Sequence, residues 1–98
     1  MNSDTFFKCV VDSNRRRILE ILGDGEKCVN EIVESMGLEQ SLVSHHLKVL
    51  RECGLVKSRH EGKNVVYTLS TPEIHNVLKT VEKASAEIGN VKPHEECR

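Results

Sequence analysis

Ninety-eight residues make one small domain, and a chain of this length buries only about 60–70% of its unfolded surface, so a second copy adds burial that it lacks alone. The hydrophobic content of 38%, with two Phe, one Tyr and no Trp, suits a globular protein whose core is mostly Leu, Ile and Val. No apolar run approaches the roughly 20 residues of a membrane span and MNSDTFFK lacks signal-peptide shape, so a cytoplasmic protein with no membrane partner is expected; a formal charge of -1 argues against a general polyanion binder.

Thr5 to Val11 is a short helix candidate with Phe6, Phe7, Val10 and Val11 on overlapping faces. Such a length does not hold as an isolated helix in water, so it must dock on something. Asp12-Ser13 reads as an N-cap pair for a second helix, Asn14 to Leu22, whose Ile18, Ile21 and Leu22 face inward. Arg15, Arg16 and Arg17 point three ways on that helix and read as solvated charges rather than a basic patch.

Lys27 to Met36 places Val29, Ile32, Val33 and Met36 at helical spacing. Gly37 closes that helix, and a new one begins near Glu39 or Gln40. Two short amphipathic helices joined by a tight Gly-containing turn are the signature of a helix-turn-helix. In the second, QSLVSHHLKVLRECGLV, Val43, Leu47 and Leu50 form an apolar stripe, while Ser41, Ser44, His45 and Lys48 form a polar one. Short hydrogen-bonding groups there suit base edges and phosphates better than the Glu and Lys of an ordinary surface helix, which points to a DNA-recognition helix. Charge agrees: Lys48, Arg51, Lys57, Arg59 and Lys63 outweigh Glu52 and Glu61 between Ser41 and Leu69, whereas Asp24 to Glu39 is acidic.

After Gly54 the period changes. Val56 to His60 alternate, Glu61-Gly62-Lys63-Asn64 turns, and Val65 to Leu69 return, a β-hairpin with charge at its tip. A hairpin directly after a helix-turn-helix is a wing, with Arg59 and Lys63 where phosphates would lie. Ser70-Thr71-Pro72-Glu73 starts a final helix carrying Ile74, Val77, Leu78, Val81, Ser85 and Ile88 along one stripe to Gly89. That stripe and the Phe6/Phe7 segment are the candidate dimer interface. The expected fold is mainly α with a small β-hairpin, a winged helix-turn-helix ordered α-α-α-α-β-β-α over residues 1–89, with dimerisation helices at both ends and a flexible tail at 90–98.

The segments FFKCVVDSNRRRILEIL and SLVSHHLKVLRECGLVKSRHEGKNVVYTL resemble the arsenic-repressor (ArsR/SmtB-type) family of winged-helix repressors, the S-x-x-S-x-H-L-x-x-L-x-x-x-G-L-V spacing above all. The likeness runs from Phe6 to Ile88. It implies a homodimeric, sequence-specific DNA-binding repressor on a double-stranded operator with two-fold character, released by an inducer and without enzymatic activity. By matching positions, Gln40, Ser41, Ser44 and His45 look like the groove-facing residues, with His46 bracing the helix or touching phosphate. Glu39 departs from the usual Ser cap; its carboxylate suits a helix N-terminus but repels phosphate.

Sensors in the resembled family are mostly metal or metalloid sites, and this sequence matches each known pattern only in part. The Cys-Val-Cys of arsenic and cadmium sensors reads Cys28-Val29-Asn30, and soft ions favour two or three thiolates. Cys53 holds the place of the cysteine before Gly-Leu-Val in cadmium/lead-type sensors, but its companion is Val49. Glu73-x-His75 matches half a zinc site, with Ala86 and Gly89 at the later ligand positions. Candidate ligands are therefore Cys28, Cys9, Cys97, Cys53 and His94, each of which also reads as a buried filler or a bland surface residue. Metal binding and thiol oxidation both stay open as the inducing event. A winged-helix protein-interaction module without DNA binding is the alternative, favoured by the acidic Asp24–Glu39 stretch.

Overall fold

The computed structural model describes residues 2–89, ordered α1 (Ser3–Val10), α2 (Ser13–Gly23), β1 (Lys27–Cys28), α3 (Val29–Met36), α4 (Gln40–Glu52), β2 (Val56–Glu61), β3 (Asn64–Leu69) and α5 (Glu73–Gly89). The tail expected at 90–98, including His94 and Cys97, lies outside the described residues.

Local signals set most boundaries. The Asn2 side chain accepts from the Thr5 N–H at 2.9 Å and opens α1. Asp12 Oδ1 accepts from the N–H groups of Asn14 and Arg15 at 2.8 and 3.1 Å and opens α2. The arginines that follow are not simply solvated. Arg15 Nε donates to the Cys9 carbonyl at 2.7 Å, and Arg16 Nη1 donates to the carbonyls of Val10 and Val11. Cationic donors thus satisfy the carbonyls that the C-terminal end of α1 leaves open, and they tie α1 to α2. The end of α2 meets the start of α5: a Cβ on Gly23 would stand 2.0 Å from His75 Nδ1, so only glycine permits that approach.

Residues Lys27 and Cys28 depart from the sequence reading. They form a short strand, pairing antiparallel with Tyr67 and Val66, and the helix begins only at Val29. The hairpin is therefore part of a three-stranded sheet in the order β1-β3-β2. The turn is also tighter than the four residues expected, because Glu61 and Asn64 still pair across Gly62-Lys63.

One apolar cluster lies beneath α2, α3, α4, the sheet and the start of α5, with Ile18, Leu19, Ile32, Val43, Leu47 and Leu50 fully enclosed. Truncating Leu47 to Ala would cost about 2–5 kcal/mol. The apolar stripe of α5 divides. Ile74 and Leu78 are buried in the domain, whereas Val77, Val81 and Ile88 stay exposed. With Phe6, Phe7 and Val10 of α1 and the adjoining Val11, Val77 and Val81 line an open groove of about 660 Å³.

Candidate nucleic-acid interface

The turn between α3 and α4 sets the direction of α4. Gly37 sits at φ 66°, a left-handed conformation that suits glycine, and its N–H returns to the Val33 carbonyl at 3.0 Å. Glu39 caps α4 with extended backbone, and its carbonyl accepts from Leu42 and Val43; its carboxylate makes no capping hydrogen bond. At the far end, Gly54 N–H bonds to Arg51 O at 3.0 Å and Leu55 N–H to Leu50 O at 2.9 Å, the paired bonds of a Schellman stop. Leu55 is buried, so the stop also anchors the chain that enters the wing.

Between those ends α4 has two distinct sides. Val43, Leu47 and Leu50 are enclosed, while Gln40, Ser41, Ser44, His45 and Lys48 are all exposed. The exposed set forms a connected polar face of donors and acceptors. His46 belongs to the other side. It is 5% exposed, with Nδ1 buried and unpartnered, so its ring packs against the domain rather than facing a phosphate. It lies near Asp12. Burial pushes the Asp12 carboxyl up, but the Arg15 N–H, the charges of His46 and Arg15, and the Asn14 N–H outweigh it and hold the group below its ordinary value. Helix α4 and the start of α2 are therefore coupled through the charges of His46 and Asp12.

On the wing, Lys63 is exposed at the hairpin tip beside Gly62, whose φ is 63°. Arg59 is exposed too, but its guanidinium is engaged. Nη1 meets Glu26 Oε2 at 2.6 Å, and Nη2 meets Glu26 Oε1 at 2.8 Å and Glu61 Oε2 at 2.9 Å. Those two carboxylates raise the Arg59 pKa, and Arg59 in turn holds Glu26 below the usual carboxylate range. Sequence reading placed Arg59 facing phosphate; here it faces the acidic loop after α2. Glu26 was missed as its partner because the two are distant in sequence, although the acidic stretch against a basic hairpin was the available signal. Arg51 reaches toward Ser58 of β2 at 3.5 Å.

The thiols are dispersed. Cys28 stands at the α3 N-cap among Glu26, Glu31, Glu61 and Asn64, and its N–H donates to Glu31 Oε1 at 3.0 Å. Cys9 is buried and Cys53, the α4 C-cap, is half-buried against the core. No three His, Cys, Asp or Glu side chains converge as a metal site among the described residues. His75 packs on Gly23 with Nδ1 buried, and Glu73 is exposed.

Residues 12–58 match the model of the bacterial regulatory protein arsR family. An uncharacterized HTH-type transcriptional regulator of Mycobacterium tuberculosis is 37% identical over 84 residues, covering 85% of this chain and 74% of that protein. The chain belongs to the ArsR family. The crystal structure of that same mycobacterial protein superposes with a TM-score of 0.81 at 34% identity, over 88% of this chain and 87% of the other. The transcriptional repressor SdpR of Bacillus subtilis is 31% identical over 72 residues, 74% of this chain and 80% of that protein. A homodimeric winged helix-turn-helix DNA-binding domain from Mycobacterium bovis superposes with a TM-score of 0.82 over 96% of this chain and 87% of the other; at 24% identity this likeness concerns the fold alone. As an ArsR-family member the protein is a winged helix-turn-helix transcriptional regulator, not an enzyme. Among its described residues no helix is long and apolar enough to cross a membrane.

Proposed function

We propose that the protein is a homodimeric, sequence-specific repressor that holds a double-stranded operator of two-fold character. The carrying observation is the exposed face of Gln40, Ser41, Ser44, His45 and Lys48 over the fully enclosed Val43–Leu47–Leu50 seam. This combines a rigid backing with short polar groups that suit major-groove edges. Lys63 at the wing tip adds phosphate attraction, and His46 braces the helix from within. The groove between α1 and α5 supports dimerisation, since Phe7 is 63% exposed and Val81 52% exposed on the same face.

Release from the operator proceeds through the cysteines, by a metal or metalloid ion or by thiol modification. With no three ligands converging among the described residues, an ion would have to draw on both subunits or the tail. A mobility-shift assay on the DNA upstream of its own gene tests the reading: sequence-preferring binding at moderate salt is expected. No such binding, with co-purification of a protein partner instead, would favour the protein-interaction module. Reporter expression that rises when the protein is removed would distinguish repression from activation.

A further inference from the structure

Among the described residues, the large apolar side chains left exposed are Phe7, Val11, Val77, Val81, Ile88 and Leu42. Phe7, Val11, Val77 and Val81 line the groove between α1 and α5, and Ile88 continues the α5 stripe. Leu42 is the exception. It stands in the first turn of α4, is 39% exposed, and belongs neither to the core cluster nor to the half-buried side chains packed against it.

A single exposed leucine on an ordinary surface needs no function. The place of this one is not ordinary. Ser41 before it and His45 one turn on are both exposed members of the polar face of α4. Its height is fixed as well: its N–H donates to the Glu39 carbonyl at 3.1 Å, and the next residue, Val43, is fully enclosed. The hydroxyls of Ser41 and Ser44 can bond donors and acceptors alike, so by themselves they tell base pairs apart poorly. The major groove presents one apolar feature that a leucine can read, the 5-methyl group of thymine.

We propose that Leu42 is a specificity-determining residue that packs against a thymine 5-methyl group in each half-site. The proposal rests on the repressor reading above and names the base that the first turn of α4 selects. N-terminal residues of a recognition helix are the ones that reach base edges in helix-turn-helix proteins, and Leu42 is the third residue of α4. Contact between leucine and methyl removes apolar surface from water on both sides and asks for no donor or acceptor. It also disfavours cytosine, which has no methyl group and turns its N4 amino donor toward the groove. Against leucine that amino group would lose water and gain no acceptor.

The test uses duplexes copied from the upstream DNA that the protein protects, with thymine replaced by deoxyuridine one position at a time. Deoxyuridine keeps every hydrogen-bonding group of thymine and lacks only the methyl. At one thymine of each half-site the replacement should weaken wild-type binding about fourfold, the worth of roughly one buried methyl-sized group. Leu42→Ala should weaken binding to the thymine duplex by a similar factor and be indifferent to deoxyuridine at that position, so the two changes do not add. Lys63→Ala, which acts on phosphates, should bind less tightly yet keep the full deoxyuridine penalty. Alanine suits an exposed helical position, and a thermal melt followed by circular dichroism checks that Leu42→Ala folds like the wild type. A deoxyuridine penalty of equal size in wild type and Leu42→Ala, or no penalty at any thymine, would overturn the assignment. Sequence-preferring binding that shows no methyl dependence removes the Leu42 contact alone. If the wild type prefers no duplex, the repressor reading fails first and the contact falls with it.

Discussion

Arg59 of the wing and Glu26 of the loop after α2 form a two-pronged ion pair, at 2.6 and 2.8 Å, that faces the wing's arginine toward the protein. Each side chain is about half exposed, so the pair contributes little to stability but decides where the guanidinium is available. Glu26→Gln removes the two-pronged partner and leaves Arg59 only the Glu61 contact at 2.9 Å, which should let it turn toward phosphate. Operator affinity is expected to tighten by roughly two- to tenfold, with the log affinity versus log salt slope steepening by about one. An unchanged slope in a salt titration would show that Arg59 does not reach the backbone even when freed.

The polar face of α4 and the wing tip should respond differently. Ser44→Ala or His45→Ala should cost about 1–3 kcal/mol at the operator and relax its sequence preference. Lys63→Ala should weaken all DNA sequences alike and flatten the salt slope by about one. Competition binding with operator and scrambled duplexes separates the two effects.

These contrasts show how far the chain could be read before its structure. The 3.6-residue stripes of α3 and α4, the Gly37 turn and the change to period two after Gly54 are local, and each was legible. Strand β1 was not, because two residues carry no alternation and Lys27-Cys28 extend a helical apolar pattern; their pairing with Tyr67 and Val66 is set by the sheet. Arg15 and Arg16 of α2 also read blandly, since their partners are backbone carbonyls, and carbonyls have no sequence signature. The exposed residues of α4 followed from periodicity, but the burial of His46 and the engagement of Arg59 depend on tertiary neighbours.

Dimerisation should depend on the groove between α1 and α5. Val81→Glu places a charge on that apolar face without touching the buried Ile74 and Leu78. Sedimentation equilibrium should then show a folded monomer, and operator binding should fall by about two orders of magnitude or more because one half-site alone is held. A dimer that persists would move the interface elsewhere.

Asp12 gives a pH prediction with a definite sign. Its folded pKa lies below the usual carboxylate value, so the unfolded state takes up the proton first as pH falls. The stability that it contributes is complete above the unfolded pKa of about 3.9 and is lost as pH falls through the folded value. Asp12→Ala should cost about 0.5–2 kcal/mol near neutral pH, as N-cap loss does. The difference from wild type should shrink in urea melts run toward acid, whereas a gap constant with pH would assign the loss to packing.

Footprinting of the reduced protein on its upstream DNA, beside a Ser44→Ala, His45→Ala double variant, is the most direct measurement. The repressor account predicts two protected patches about 10–10.5 base pairs apart, centre to centre, that fade in the variant while its fold and dimer persist. No protection by the wild type, or equal protection by the variant, would contradict the assignment of α4 as the reading helix.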